Sequence, residues 1–170
     1  MAIVMDRKDT KEPEVTAELP TKEQLKDSEL VVQAVAYWFA DHGHVRSPFP
    51  TTVQEKVAKG AVEGLHAWLA GLKPDERAKL RDEDLLEKFE SVLFDTAMGL
   101  VTDTDQLITL RFPFLPRCGD RIDGGAIAGR EGENIVRTRR LAHEDKDEFL
   151  VVEAECVSTG ERWETRFELP

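Results

Sequence analysis

Between Thr21 and Gly99 apolar positions recur every three or four residues, and beyond Thr102 they alternate with polar ones. The first rhythm predicts helices and the second predicts strands. Thr21-Lys22-Glu23-Gln24 has capping-box spacing directly after Pro20 and opens a helix. The expected buried stripe of that helix is Leu25, Val31, Val32, Val35, Trp38 and Phe39. Gly43 supplies a stop, and Ser47-Pro48-Phe49-Pro50 forbids continuation. A second capping box, Thr52-Val53-Gln54-Glu55, starts a helix to about Leu72, with Val57, Ala61, Leu65, Trp68 and Leu72 on one stripe. Beside that stripe lie Gly60, Gly64, Ala67 and Gly71, small enough to let another helix approach closely, from this chain or from a second copy. Lys73-Pro74-Asp75-Glu76 puts a proline at a first helical position, and helical character runs on to Met98 with a break near Asp82.

The alternating region predicts strands over 107–114, 135–143, 149–157 and 162–169. A two-residue turn at Thr159-Gly160 sets Cys156, Ala154, Val152 and Leu150 opposite Trp163, Thr165, Phe167 and Leu169 on one apolar face. A five-residue turn over 144–148 puts Arg139 across from Glu153 and Arg137 across from Glu155. That register builds an Arg139–Glu153–Arg166 ladder on the wet face and turns Arg140 toward the apolar one. The expected fold class is α+β: a disordered tail over 1–20, then a single domain over 21–170. In it three or four helices (21–100) pack on one face of a four- to five-stranded antiparallel sheet (102–170).

Charge narrows the partners. The 23 Lys and Arg against 34 Asp and Glu leave −11 over 170 residues, which counts against a general nucleic-acid binder. No window approaches the roughly 20 apolar residues a bilayer requires, so no membrane is expected. Two cysteines are too few for a disulfide framework, and the N-terminus lacks a secretory pattern, so a cytoplasmic location is expected.

Several clusters invite chemistry. Asp41-His42-Gly43-His44 is the most metal-like, but two imidazoles two residues apart are a poor helical chelate, and Asp41, His42 and His44 are weak metal candidates. In Pro116-Arg117-Cys118-Gly119-Asp120-Arg121 the flanking arginines would favour a thiolate, with His143 as the available base. The plainer reading is a turn. Gly124-Gly125-Ala126-Ile127-Ala128-Gly129-Arg130-Glu131-Gly132 lacks the lysine and following helix of a phosphate loop and reads as a mobile hairpin loop. Asp103-Thr104-Asp105 reads as a solvated turn. No cofactor signature is present.

The leading expectation is a small acidic binding or adaptor protein without catalytic activity, with a protein partner and a possible homodimer through the helical layer. The competing expectation is an enzyme or small-ligand binder with a pocket between helices and sheet. Its candidate binding residues are Arg117, Cys118, Asp120, Arg140 and His143.

Overall fold

A computed structural model of the chain describes residues 18–43 and 46–169. Most of the expected tail, and His44, lie outside the described residues. Within them are six helices followed by four strands: α1 (Lys22–Lys26), α2 (Glu29–Phe39), α3 (Gln54–Gly71), α4 (Pro74–Arg77), α5 (Asp82–Leu100), α6 (Thr104–Arg111), β1 (Arg121–Ile122), β2 (Asn134–Glu144), β3 (Asp147–Cys156) and β4 (Arg162–Glu168). The fold is α+β, with an antiparallel sheet in the order β1-β2-β3-β4. The chain divides into two compact units. One contains 55–96 with the described residues up to Tyr37; the other contains 38–54 and 97 onward. The second is therefore not the sheet alone: the segment around Phe49 and helix α6 belong with it.

In the helical unit Thr21 forms its capping box as expected: Gln24 N–H donates to Thr21 Oγ1 at 3.2 Å, and Thr21 N–H donates to Gln24 Oε1 at 2.8 Å. The helix it opens is short. Ser28 breaks it, its hydroxyl donating to Leu25 O at 2.7 Å and accepting Val31 N–H at 3.4 Å, so α2 starts afresh. A second difference is Val32, expected in the buried stripe but 53% exposed. At Gly60 and Gly64 the glycine stripe is filled within the chain. A Cβ on Gly60 would lie 2.7 Å from Thr96 Cγ2, and one on Gly64 2.5 Å from Val92 Cγ1, so α5 lies against α3 along that line. The packing explains why two poor helix formers sit mid-helix.

In the sheet unit, Ile108, Val136, Leu150, Val152 and Leu169 form a buried cluster, with Phe112, Leu115, Leu141 and Phe167 packed against it. Ile108 belongs to α6, where the alternation predicted a strand over 107–114. The strand expectation is wrong because Asp103 is an N-cap: its Oδ1 accepts Gln106 N–H at 2.9 Å. The β-branched residues that imitate a strand are Ile108 and Thr109, both buried on a helix that ends before Pro113.

Both hairpin registers differ from expectation. The β3–β4 loop is four residues, 157–160, closed by Cys156 N–H to Glu161 O at 2.8 Å and Gly160 N–H to Cys156 O at 2.7 Å. Gly160 takes φ +73°, the left-handed conformation that closes this loop. Ala154 thus pairs with Trp163, Val152 with Thr165 and Leu150 with Phe167, a slip of two residues that leaves every side chain on its expected face. The β2–β3 turn is two residues, with Asp145 at φ +55°, and it moves the pairing by one: Arg139 faces Val152 and Arg140 faces Val151. A slip of one exchanges the faces. Arg139 goes in and Arg140 goes out, and the expected Arg139–Glu153–Arg166 ladder does not form. A bulge between Val136 and Thr138 restores the lower half, so Ile135 meets Glu155 and the Arg137–Glu155 ion pair forms at 3.1 Å as expected.

Candidate functional site

The sheet unit gathers Arg117, Cys118 and Asp120 into one loop knot. Pro116 and Gly119, the latter at φ +88°, turn the chain there, and Asp120 Oδ2 accepts Arg117 N–H at 2.8 Å. Arg117 donates to Arg46 O at 2.7 Å, Ser47 O at 2.9 Å and Pro113 O at 3.2 Å. Its burial pulls the guanidinium pKa below its usual value. Arg46 reaches Asp120 Oδ1 at 2.6 Å. A cleft of about 590 Å³ opens here, lined by Arg46, Arg117, Asp120, Arg121 and the Pro113–Pro116 segment. Its guanidiniums are already engaged, Arg121 with Glu133 at 2.8 Å.

The thiol of Cys118 is displaced in the opposite direction from the sequence expectation. Desolvation raises its pKa, the negative charge of Asp105 raises it further, and Arg139 only partly opposes them. Arg140 does not join this cluster. It lies on the outer face, 3.3 Å from Glu164 and more than half exposed. His143 is exposed as well, 3.7 Å from Glu148. Arg46 donates to Cys118 O at 3.4 Å, and the arginine whose charge acts on the thiol is Arg139, which sequence reasoning placed in solvent. Its side chain has no exposed surface, and it donates to both carboxylate oxygens of Asp105, to Asp105 O, to Pro116 O and to Thr109 Oγ1. The signal for it, Asp105 in the first turn of a capped helix, was misread with the helix.

Asp41 Oδ1 accepts Ser47 N–H at 2.8 Å, which occupies it as a turn former. Among the described residues no three metal-capable side chains come together. The glycine loop is folded onto β2 and β4. Asn134, fully buried, donates to Arg130 O at 2.8 Å and Gly132 O at 3.1 Å and accepts Trp163 Nε1–H at 3.0 Å. The Arg130 guanidinium covers the Trp163 ring at 4.5 Å. Gly124 is required by this packing, since a Cβ there would lie 2.3 Å from Arg130 O.

A second concavity, in the helical unit, was not foreseen. It has a volume of about 680 Å³ between α2 and α5, with Leu65 of α3 also lining it. Leu30, Ala34, Tyr37, Leu85 and Leu86 supply apolar wall, and Glu29, Asp82, Glu83 and Glu90 supply carboxylates. No Lys or Arg is among its lining residues. Arg81 stands outside it, 3.3 Å from Glu83. Tyr37 remains 52% exposed and Leu86 37%. The available signal was α2 itself: Glu29 and Gln33 are its only polar residues before the aromatic end, so one buried stripe cannot absorb its apolar surface.

Comparison with protein-family models, with curated proteins and with solved structures found no match.

Proposed function

We propose that this is a non-catalytic, acidic binding protein whose α2–α5 cleft receives an apolar, basic segment of a partner protein. One observation carries the reading: apolar wall and four carboxylates line the same cleft. A partner helix with leucine-like anchors and flanking lysines satisfies both features, burying apolar area against the wall while opposite charge steers its approach. The net charge of −11 favours the same class of partner. Two free cysteines fit a reducing compartment, and a cytoplasmic location belongs to this proposal. No described helix is long and apolar enough to cross a membrane.

The test uses a fluorescent amphipathic peptide of alternating Leu and Lys faces, titrated with the full chain. Saturable binding should weaken about tenfold in Leu86→Asp and again in Glu90→Lys, a loss near 1.4 kcal/mol each. The same peptide with Glu in place of Lys should not bind. Equal binding by wild type and both variants would rule the cleft out.

A further inference from the structure

Among the described residues strand β4 ends the sheet, and its outer edge carries a charge pattern that is complementary to itself. Glu161 and Leu169 bond to β3 through Cys156 N–H and Glu148 O, and the antiparallel ladder alternates from there. Residues 163, 165 and 167 therefore turn their backbone groups inward to β3, and 162, 164, 166 and 168 turn theirs to the free edge. Those four are Arg162, Glu164, Arg166 and Glu168, all exposed; the first three also make exposed ion pairs across their own sheet, Arg162 with Glu153 and Glu155, Glu164 with Arg140 and Arg166 with Glu144. Free strand edges invite pairing, and charges along an edge ordinarily deter it. Here the signs alternate, which deters every two-fold register of this strand except one kind.

We propose that β4 is a homodimerisation edge, pairing antiparallel with β4 of a second copy about a two-fold axis at Thr165. In that register Arg162 faces Glu168 and Glu164 faces Arg166, each pair twice, and the outward N–H and C=O groups of all four residues find partners. On the opposite face Trp163 meets Phe167 of the second copy, and Thr165 meets itself. Moving the axis to Glu164 sets Glu on Glu and Arg162 on Arg166; moving it to Arg166 sets Arg on Arg and Glu164 on Glu168. An axis between two residues puts an outward-facing backbone opposite an inward-facing one and breaks the ladder. Like charges directly opposite destabilise a strand pair and unlike charges stabilise it, so the sequence of β4 selects the Thr165 axis. A two-fold axis closes the assembly at two copies, as one continuous eight-stranded sheet.

The test is a cysteine trap in the full chain with Cys118→Ser. At a non-hydrogen-bonded pair the two position-165 Cα atoms lie about 4.5 Å apart, within disulfide reach. Thr165→Cys should give a reducible dimer about tenfold faster than Lys146→Cys at the β2–β3 turn, which the dimer leaves apart. Sedimentation of variants without the trap supplies the independent measurement. Glu164→Arg should weaken self-association about tenfold, and Glu164→Arg with Arg166→Glu should recover it, because the swap restores the pairs across the seam while the exposed in-chain pairs with Arg140 and Glu144 stay broken. Three results would overturn the proposal: a monomer at every concentration with equal trapping at 165 and 146, a dimer indifferent to Glu164→Arg, or a monomer whose β4 takes up an extended peptide. The first two leave the cleft between α2 and α5 untouched as a peptide site, so the two proposals stand or fall separately.

Discussion

Arg139 and Asp105 are joined by a fork-to-fork ion pair, Nε to Oδ1 at 2.6 Å and Nη2 to Oδ2 at 3.1 Å, with the arginine side chain wholly inaccessible. The remaining donors go to Pro116 O at 2.9 Å, Asp105 O at 2.8 Å and Thr109 Oγ1. One guanidinium thus ties a central strand to the first turn of α6 and to the loop that follows it. Its burial is affordable in polar terms only because its partners are this numerous.

Arg139→Met should destabilise the chain by about 2–3 kcal/mol, since it keeps the apolar stem but leaves Pro116 O without its donor and the helix start untethered. Half of the Asp105 side chain reaches water, which limits the cost of stranding the carboxylate. Arg140→Met, one residue on, should change stability by less than about 0.5 kcal/mol, as expected for an exposed pair with Glu164. Urea unfolding of the two variants measures the difference, and equal losses would contradict the face assignment.

That contrast also marks where the sequence was legible and where it was not. The positions of β2, β3 and β4 and the apolar inner face of β3 and β4 were readable because burial imposes a period of two. The β2–β3 turn was not. Its charged run Glu144, Asp145, Lys146, Asp147 and Glu148 accepts either a two- or a five-residue loop, and Asp145 at φ +55° decides between them. A one-residue shift in register exchanged the roles of Arg139 and Arg140, and with them the makeup of the candidate site. In α6 the error was one of competing signals, a local cap at Asp103 against β-branched residues and nearby prolines. The α2–α5 cleft depends on how helices meet, which periodicity does not encode.

Gly64→Ala should be destabilising although alanine is the better helix former. The propensity gain is about 1 kcal/mol, but the new Cβ falls 2.5 Å from Val92 Cγ1 on a packed helix, and overpacking costs about 1–3 kcal/mol. Gly71→Ala, with nothing within 4 Å, should leave only the gain. In a double-mutant cycle Val92→Ala should rescue Gly64→Ala, giving a coupling of about 1 kcal/mol by thermal or urea unfolding. A stabilised Gly64→Ala would mean that α5 does not press on α3 at this point.

Trp163→Phe should cost about 1–3 kcal/mol, because it strands the buried Asn134 Oδ1 while leaving most of the ring in place. Asn134→Leu with Trp163→Phe should cost less than the sum of the single variants, since the orphaned acceptor is removed with its donor. The glycine loop is held by the same asparagine, so proteolysis within 124–132 should rise in Asn134→Leu. Unchanged cleavage would mean that the loop is held by its own turns alone.

Cys118 should be a sluggish nucleophile. Cys118 is exposed, but partial desolvation and the carboxylate of Asp105 raise its pKa, so its reaction with iodoacetamide should rise with pH at a midpoint above that of an ordinary cysteine. Peptide mapping after alkylation reads this site separately from the buried Cys156. The sign of a second effect is informative. Arg139 is the neighbour that lowers the Cys118 pKa, so Arg139→Met should push the midpoint higher and slow alkylation at neutral pH, provided the fold holds. Local unfolding acts in the opposite direction, freeing the thiol from desolvation and speeding the reaction. A slower thiol in a weakened protein therefore reports the electrostatic contact itself, and a faster one reports that Arg139 is needed to keep the loop 112–120 in place.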